Sequence, residues 1–188
     1  MKVGLILGSF NPIHNGHIHL GEKVLSELDI NEVWLTVSPQ NPFKVNSDLE
    51  DENIRVEMAK LAIDDDRFKV CDIELSLDKP SYTYKTLRKL KETYPTYEFY
   101  IIMGSDVINR MNEWKKSDEV SEYPLITFVR SDEEIDFENA ITEDITVLTS
   151  DIDLSSTIVR KRIRNNESLD GFIPNKVIKY INDNNLFK

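Results

Sequence analysis

The chain has 188 residues, a formal net charge of −11 at pH 7 and a mean hydropathy of −0.40. This length fits one compact domain, and 40% hydrophobic residues beside 30% charged residues fit a water-soluble globular protein. Nucleic acid is an unfavourable partner, because its binding depends on phosphate neutralisation by Lys and Arg. No apolar run approaches the roughly 18 residues that span a bilayer, and no signal-peptide pattern is found. The sequence therefore predicts a cytoplasmic protein without nucleic-acid or membrane partners.

Apolar periodicity predicts strands that alternate with helices along the chain. Short apolar or alternating runs predict strands at residues 2–7, 32–37, 68–75, 98–103, 125–129 and 145–148. Helical spacing of apolar residues predicts helices at residues 16–28, 53–63, 83–93, 156–164 and 175–182. Residues 131–144 are acidic and weakly patterned, which predicts a solvated loop.

This alternation indicates right-handed βαβ crossovers. We therefore predict a single α/β domain, with a Rossmann-like, doubly wound, mostly parallel sheet and C-terminal helices. Ligands of such sheets bind beyond the C-terminal ends of the strands, at the point where the strand order reverses.

The first predicted strand leads into its helix through the sequence GSFNPIHNGH, residues 8–17. Gly8 permits a close backbone approach, Pro12 stiffens the turn, and Gly16 begins a helix whose N-terminus favours anions. The spacing is neither the G-x-G-x-x-G dinucleotide fingerprint nor a Walker A loop. The turn therefore predicts a phosphate site, and the simple dehydrogenase and P-loop interpretations lose their main support.

All three histidines of the chain, His14, His17 and His19, lie in or beside this turn. Their clustering suggests a transition-metal site as one alternative, but His17 and His19 point about 200° apart on a helix and cannot both face one ion. No Cys or adjacent carboxylate completes a zinc set. We expect His14 and His17 to donate hydrogen bonds to a polyphosphate, and His19 to point outward.

A second motif, DLSSTIVRKRI, lies near the C-terminus. Ser155 or Ser156 can cap a helix there, and Ser156 and Arg160 share one helix face, so that hydroxyl, amide and guanidinium groups can meet one anion. Lys161 and Arg162 are expected to form an ordinary solvated helix end. Both motifs resemble signatures of the nucleotidyltransferase superfamily, G-x-F-x-P-x-H-x-G-H and I-S-S-T-x-x-R, with Leu154 in place of the Ile. The resemblance implies contacts to ATP phosphates from a set of residues in the two motifs: Gly8, Ser9, Phe10, His14, His17, Ser155, Ser156, Thr157 and Arg160.

Within this superfamily the chain most resembles the bacterial nicotinate-nucleotide adenylyltransferase family. The similarity is carried by PSYTYKTL at residues 80–87, IIMGSD at residues 101–106, and Trp114. The loop VSPQNPFK, residues 37–44, matches the family's P-x-x-P-H-K loop in Lys44 but has Phe43 where the family has His. Arg130 matches a basic residue after the fifth strand, although the usual Pro-Gly is absent. The resemblance implies a nicotinate mononucleotide site formed by Lys44, Tyr82, Thr83, Tyr84, Trp114 and Arg130.

The residues of these motifs also have simpler interpretations. Trp114 lies in a polar stretch and can either stack on a pyridine ring or pack ordinarily. The helix that Tyr82, Thr83 and Tyr84 introduce favours a carboxylate at its N-terminus, but Thr83 can also act as a local cap. Asp106, after Gly104, can accept hydrogen bonds from a ribose or adenine, or cap a helix.

The resemblance implies transfer of the adenylyl group of ATP to nicotinate mononucleotide, with His14, His17 and Arg160 as catalytic residues. No protein nucleophile is needed, because the phosphate of the mononucleotide attacks. Mg²⁺ is implied as cofactor, held by the ATP phosphates and water, and a homo-oligomer is possible. Two alternatives stay open: a pantetheine-phosphate adenylyltransferase, which shares both phosphate signatures, and a nucleotide-binding regulatory protein without catalysis. Retention of both His14 and His17 argues against the second alternative.

Overall fold

Six parallel strands form one sheet in the computed structural model, which describes residues 1–40, 49–108, 110–129, 137, 140–150 and 152–188. The strands, β1 to β6 in chain order, are Lys2–Gly8, Glu32–Val37, Phe68–Cys71, Glu98–Gly104, Leu125–Val129 and Ile145–Thr149. The helices, α1 to α7, are Asn15–Glu27, Glu52–Ala62, Thr83–Thr93, Ser105–Ile108, Ser117–Val120, Ser156–Arg164 and Asn175–Asp183. Two short 3₁₀ helices are Ile73–Ser76 and Met111–Glu113.

The strand order is β3-β2-β1-β4-β5-β6, and every neighbouring pair is parallel. From the central strand β1, strands β2 and β3 extend the sheet in one direction. The chain then returns to the other side of β1, where β4, β5 and β6 extend the sheet in the opposite direction. The order therefore reverses between β1 and β4, whose C-terminal ends at Gly8 and Gly104 lie at the same sheet edge. The predicted doubly wound α/β fold is confirmed.

Apolar side chains bury both faces of the central strands, as expected for a parallel sheet covered by helices. One core contains Ile6 and Leu35 together with the apolar faces of α1, α2, α6 and α7. The other contains Leu5 and Trp34 together with α3 and the short helices that follow β4. The alternation of Leu5 and Ile6 between the two cores follows the period-2 geometry of a strand.

The prediction for the third strand is wrong in its second half. Pairing with β2 ends at Cys71, and the chain then turns into the 3₁₀ helix Ile73–Ser76, which buries the carboxylate of Glu74. Most of the acidic segment 131–144 lies outside the described residues. Within the part of the chain that the structure describes, no helix is long and apolar enough to cross a membrane.

Candidate functional site

A cavity of about 840 Å³ opens at the C-terminal ends of β1 and β4, where the strand order reverses. This is the position that the fold class predicts for a ligand. Most of the predicted site residues line it: Gly8, Ser9, Phe10, His14, His17, Tyr82, Thr83, Gly104, Trp114, Ser155, Ser156, Thr157 and Arg160. We call the part formed by residues 8–17 and 155–160 the turn end, and the part formed by residues 81–83 and Trp114 the α3 end.

Three carbonyl groups of the turn are held by side chains from distant helices. Arg55 of α2 donates from Nη1 to Ser9 O at 2.6 Å, and Arg160 of α6 donates from Nη1 to Asn11 O at 2.8 Å. Ser156 Oγ donates to Pro12 O at 2.9 Å. These bonds fix the backbone of the turn and direct its carbonyl dipoles to protein donors, which lowers their repulsion of an anion in the cavity.

Arg55 is a residue that the sequence analysis missed. Its side chain is 0% exposed, and besides Ser9 O it donates to the carbonyls of Ser38, Pro39 and Glu50 at 2.7 to 3.0 Å. Burial lowers the pKa of Arg55, but a guanidinium stays protonated in proteins. The available signal was an arginine on the otherwise apolar face of α2, a position that requires buried acceptors.

The two histidines of the turn lie together, as predicted. Their rings stack with centroids 3.6 Å apart, and the backbone N–H of His14 donates to Nδ1 of His17 at 3.3 Å. Because Nδ1 of His17 accepts this bond, a neutral His17 carries its proton on Nε2 and donates from there. His19 is half-buried and does not line the cavity, in agreement with the helical-face argument.

His14 is the more buried of the pair, with 5% of its surface exposed. Burial lowers its pKa to about 4, so its imidazole is neutral at pH 7 and donates from one nitrogen only. A Cβ at Gly16 would lie 2.9 Å from Nδ1 of His14. The glycine between the two histidines therefore leaves room for the His14 ring.

The backbone N–H of Asn15, the first residue of α1, already has a hydrogen-bond partner within the protein. It donates to Phe172 O at 2.9 Å, so this amide is used within the protein. The contribution of the turn to anion binding therefore rests on the imidazoles and on the neighbouring α6 residues more than on this part of the helix N-terminus.

The start of α6 resolves the choice between its two serines. Ser155 is the N-cap and accepts from Ile158 N–H at 3.3 Å, whereas the hydroxyl of Ser156 is donated to the turn. In this structure the hydroxyl of Ser156 holds the 8–17 turn, and its contact with an anion stays a prediction. Arg160 lines the cavity, and its buried Nε has no hydrogen-bond partner among the described residues.

At the α3 end, Tyr82 is the N-cap residue of α3 and makes no side-chain capping bond. The local-cap alternative for Thr83 is not what the structure shows, since Thr83 is the first residue of the helix. Lys115 lines the cavity with its Nζ 4.8 Å from the centroid of the Tyr82 ring. Tyr84 does not line the cavity, and the Arg88 guanidinium lies 5.3 Å from the centroid of its ring.

Some predicted contacts cannot be placed. Lys44 and Arg130, together with Phe43, lie outside the described residues. Asp106 belongs to α4, but its side chain is also outside the description.

A second residue that the sequence analysis missed is Glu74, which lines the cavity with only 2% of its surface exposed. Thr86 Oγ1 donates to its Oε1 at 2.7 Å, and burial raises the pKa of the carboxyl group. Sequence patterning gave no signal for Glu74, because residues 68–75 read as one continuous strand.

The described side chains of the cavity favour an anion over a metal ion. Imidazole, hydroxyl and guanidinium groups predominate at the turn end. Among the described residues, no group of three or more His, Cys, Asp or Glu side chains is placed to hold a metal ion. This polar set fits phosphate groups in a protein whose net charge is otherwise −11.

Comparison with known proteins agrees with this geometry. Residues 5–162 match the model of the cytidylyltransferase-like family. A probable nicotinate-nucleotide adenylyltransferase of Flavobacterium johnsoniae is 37% identical over the full length of both chains. The nicotinate-nucleotide adenylyltransferase of Bacillus subtilis is 35% identical over 100% of this chain and 98% of its own.

Solved structures show the same fold. The Plasmodium falciparum nicotinic acid mononucleotide adenylyltransferase complexed with NaAD superposes with a TM-score of 0.81 at 24% identity, over 99% of this chain and 97% of its own. Its complex with APC gives the same score over 99% and 96%. With full-length relatives above one-third identity, the chain belongs to the cytidylyltransferase-like family and, within it, to the nicotinate-nucleotide adenylyltransferases.

Proposed function

We propose that this chain transfers the adenylyl group of ATP to nicotinate mononucleotide, forming nicotinate adenine dinucleotide and pyrophosphate. The observation that carries the proposal is the layout of the cavity. The same cavity combines a turn end rich in phosphate-binding groups with an α3 end that has a tryptophan and an uncapped helix N-terminus. The names of the full-length relatives support the same reaction.

The reaction needs no nucleophile from the protein. A phosphate oxygen of the mononucleotide forms a bond to the α-phosphorus of ATP, while the bond from that phosphorus to the bridging oxygen breaks and its electron pair leaves with pyrophosphate. Catalysis then consists of in-line positioning and of stabilising charge on the transferring group.

At the turn end, His17 Nε2–H, the neutral imidazole of His14 and the guanidinium of Arg160 supply donors to the ATP phosphates. Thr157 adds a hydroxyl on the same side of the cavity. Because Arg55, Ser156 and Arg160 hold the turn before substrate arrives, these donors need little rearrangement in the transition state.

We expect Mg²⁺ to enter this site bound to the nucleotide. Glu74 is the one carboxylate that lines the cavity among the side chains the structure describes, and it is bound to Thr86 at the α3 end. We therefore expect the phosphates of ATP and water to hold the ion. When bound, Mg²⁺ neutralises charge on the phosphate chain.

At the α3 end, the pyridine ring is expected to stack on Trp114, and its carboxylate is expected at the first turn of α3. The positive end of the helix dipole and the nearby Lys115 favour a negative group there. This arrangement predicts a preference for nicotinate over nicotinamide mononucleotide.

A substrate panel tests the proposal. Purified protein is incubated with ATP, MgCl₂ and one of nicotinate mononucleotide, nicotinamide mononucleotide or phosphopantetheine, and the products are separated by chromatography. We expect nicotinate adenine dinucleotide and pyrophosphate as the dominant products. Preferred turnover of phosphopantetheine, or no turnover at all, would contradict the proposal. Light scattering of the same sample measures whether the protein is a monomer or a homo-oligomer.

A further inference from the structure

Glu74 is a buried acid that the reaction just described does not use. It lies in the 3₁₀ helix Ile73–Ser76 and reaches the cavity at the α3 end. Among the described residues no cation forms an ion pair with it: Thr86 Oγ1 donates to its Oε1, while its Oε2 is buried without a hydrogen-bond partner. A carboxyl group without a cationic partner is costly to bury, so its position calls for an explanation.

Thr86 connects this acid to the first turn of α3. Its side chain is 0% exposed, its hydroxyl donates to Glu74 Oε1 at 2.7 Å, and its backbone N–H bonds to Tyr82 O at 3.4 Å. Thr86 and Tyr82 are four residues apart, so a constraint on Thr86 acts directly on the N-cap residue of α3.

The segment that precedes α3 has a second attachment. The backbone N–H of Ser81 donates to Gln40 O at 2.8 Å. Residues 81–83 therefore have two attachments, one to Gln40, which follows β2, and one, through Thr86, to Glu74. Both Glu74 and these three residues line the cavity.

We propose that Glu74 is a positioning residue: its hydrogen bond from Thr86 fixes the first turn of α3, and thereby sets affinity for the mononucleotide and its preference for a carboxylate over a carboxamide. The inference rests on the proposed function, since it assigns the α3 end to the mononucleotide. Glu74 acts through Thr86 and the 81–83 segment. The turn end has its own direct attachments to Arg55, Ser156 and Arg160, so we expect a change in this pair to affect it less than the α3 end.

Steady-state kinetics of a set of variants test this assignment, with KM measured separately for ATP, nicotinate mononucleotide and nicotinamide mononucleotide. Thr86→Val removes the donor while keeping the side-chain shape, and Thr86→Ser keeps the donor. Glu74→Gln keeps an acceptor oxygen for Thr86. Thr127→Val is the matched control, because Thr127 is also 0% exposed, its hydroxyl has no partner among the described residues, and it does not line the cavity.

We expect Thr86→Val to raise the KM for nicotinate mononucleotide about tenfold, a typical effect of losing one hydrogen bond to a charged group. The KM for ATP and kcat should stay within about threefold, and the preference over nicotinamide mononucleotide should fall. Thr86→Ser and Glu74→Gln, which keep the donor and the acceptor respectively, should retain most of the wild-type affinity for nicotinate mononucleotide. A double variant Thr86→Val with Glu74→Ala should be no worse in this KM than Glu74→Ala alone, because the two residues act as one unit.

Two results would overturn the inference while leaving the proposed function intact: kinetics of Thr86→Val equal to those of Thr127→Val, or equal increases in KM for ATP and the mononucleotide. Thermal unfolding midpoints of Thr86→Val and Thr127→Val show whether any kinetic difference exceeds a shared loss of stability. A wild-type protein that does not use nicotinate mononucleotide would overturn the proposed function, and this inference with it.

Discussion

The two ends of the cavity are built on different physical principles. At the turn end, side chains from α2 and α6 bind backbone carbonyls of residues 8–17, so the shape of the chain itself is fixed by donors far away in sequence. At the α3 end, one buried pair, Glu74 and Thr86, is linked to the short segment 81–83 that begins α3. Phosphate groups occur in all nucleotides, and a rigid backbone is enough to hold donors for them. Selecting nicotinate requires a few contacts that distinguish its carboxylate. Substitutions at the two ends should therefore have separable kinetic effects.

The largest effect is expected for His17→Ala at the turn end. Loss of a preorganised donor to a transition-state oxyanion lowers kcat by about 10²- to 10³-fold. The control is His19→Ala, which changes a histidine two residues away that does not line the cavity and should keep nearly normal turnover. Turnover of folded His17→Ala within threefold of wild type would refute the assigned role.

The buried histidine of the turn end, His14, should make the stability of the protein depend on pH. Because the pKa of folded His14 is about 4 and that of an unfolded histidine is about 6.5, the unfolded state binds more protons between these values. The contribution of His14 to the free energy of unfolding is therefore fully present above pH 6.5. It is lost as the pH is lowered toward 4, and the loss amounts to about 3 kcal/mol. Urea unfolding at pH 7 and pH 4.5, for wild type and His14→Gln, measures this contribution. The variant should show a smaller loss, and parallel losses would contradict the assignment.

Arg160→Ala should weaken the turn end alone. It removes a cation from the cavity and the donor to Asn11 O, so we expect kcat/KM for ATP to fall about 10- to 100-fold. The KM for nicotinate mononucleotide should change little. Lys161→Ala, an exposed neighbour on α6, is the control and should resemble wild type. Equal weakening of both substrates would indicate a structural role for Arg160.

The preference for nicotinate over nicotinamide mononucleotide tests the α3 end of the cavity. A charge-assisted hydrogen bond contributes about 1.5 to 3 kcal/mol, which corresponds to about 10- to 150-fold in affinity. Wild type should therefore prefer nicotinate over nicotinamide mononucleotide by at least about tenfold in kcat/KM, as measured by competition at subsaturating concentrations. Equal use of both substrates would remove the assignment of the carboxylate to the first turn of α3, while the adenylyltransferase assignment would survive.

The smallest effect is expected for Trp114→Ala. Aromatic stacking contributes about 0.5 to 1.5 kcal/mol beyond area burial, so binding of either mononucleotide should weaken about 2- to 10-fold. Because any pyridine can use the indole face, the ratio between the two substrates should stay constant. A change in that ratio would show that Trp114 also orients the carboxylate.

Residue patterns were sufficient for the features that depend on local sequence. The βαβ alternation, the reversal of strand order and the convergence of His14 and His17 follow from periodicity and from the spacing of the 8–17 turn. The donated bond of Ser156 was missed, since nothing in DLSSTIVRKRI indicates that its hydroxyl reaches Pro12 O on a distant turn.

Arg55 and Glu74 show why the remaining features escaped prediction. A buried arginine is stable only with acceptors supplied by tertiary structure, and its four carbonyl partners come from three separate stretches of chain. Glu74 is buried because the chain leaves the strand at Cys71, and the apolar alternation through residue 75 hides that change of direction. In both cases the determining contacts lie far apart in sequence.

Arg55 also couples stretches of chain that are separate in sequence. The carbonyls of Ser9, Ser38, Pro39 and Glu50 all bind this one guanidinium. Loss of the guanidinium would leave these acceptors without their donor, at about 1 to 3 kcal/mol for each one that stays buried and unsatisfied. The segments that follow β1 and β2 should therefore open together with the start of α2 as one cooperative unit.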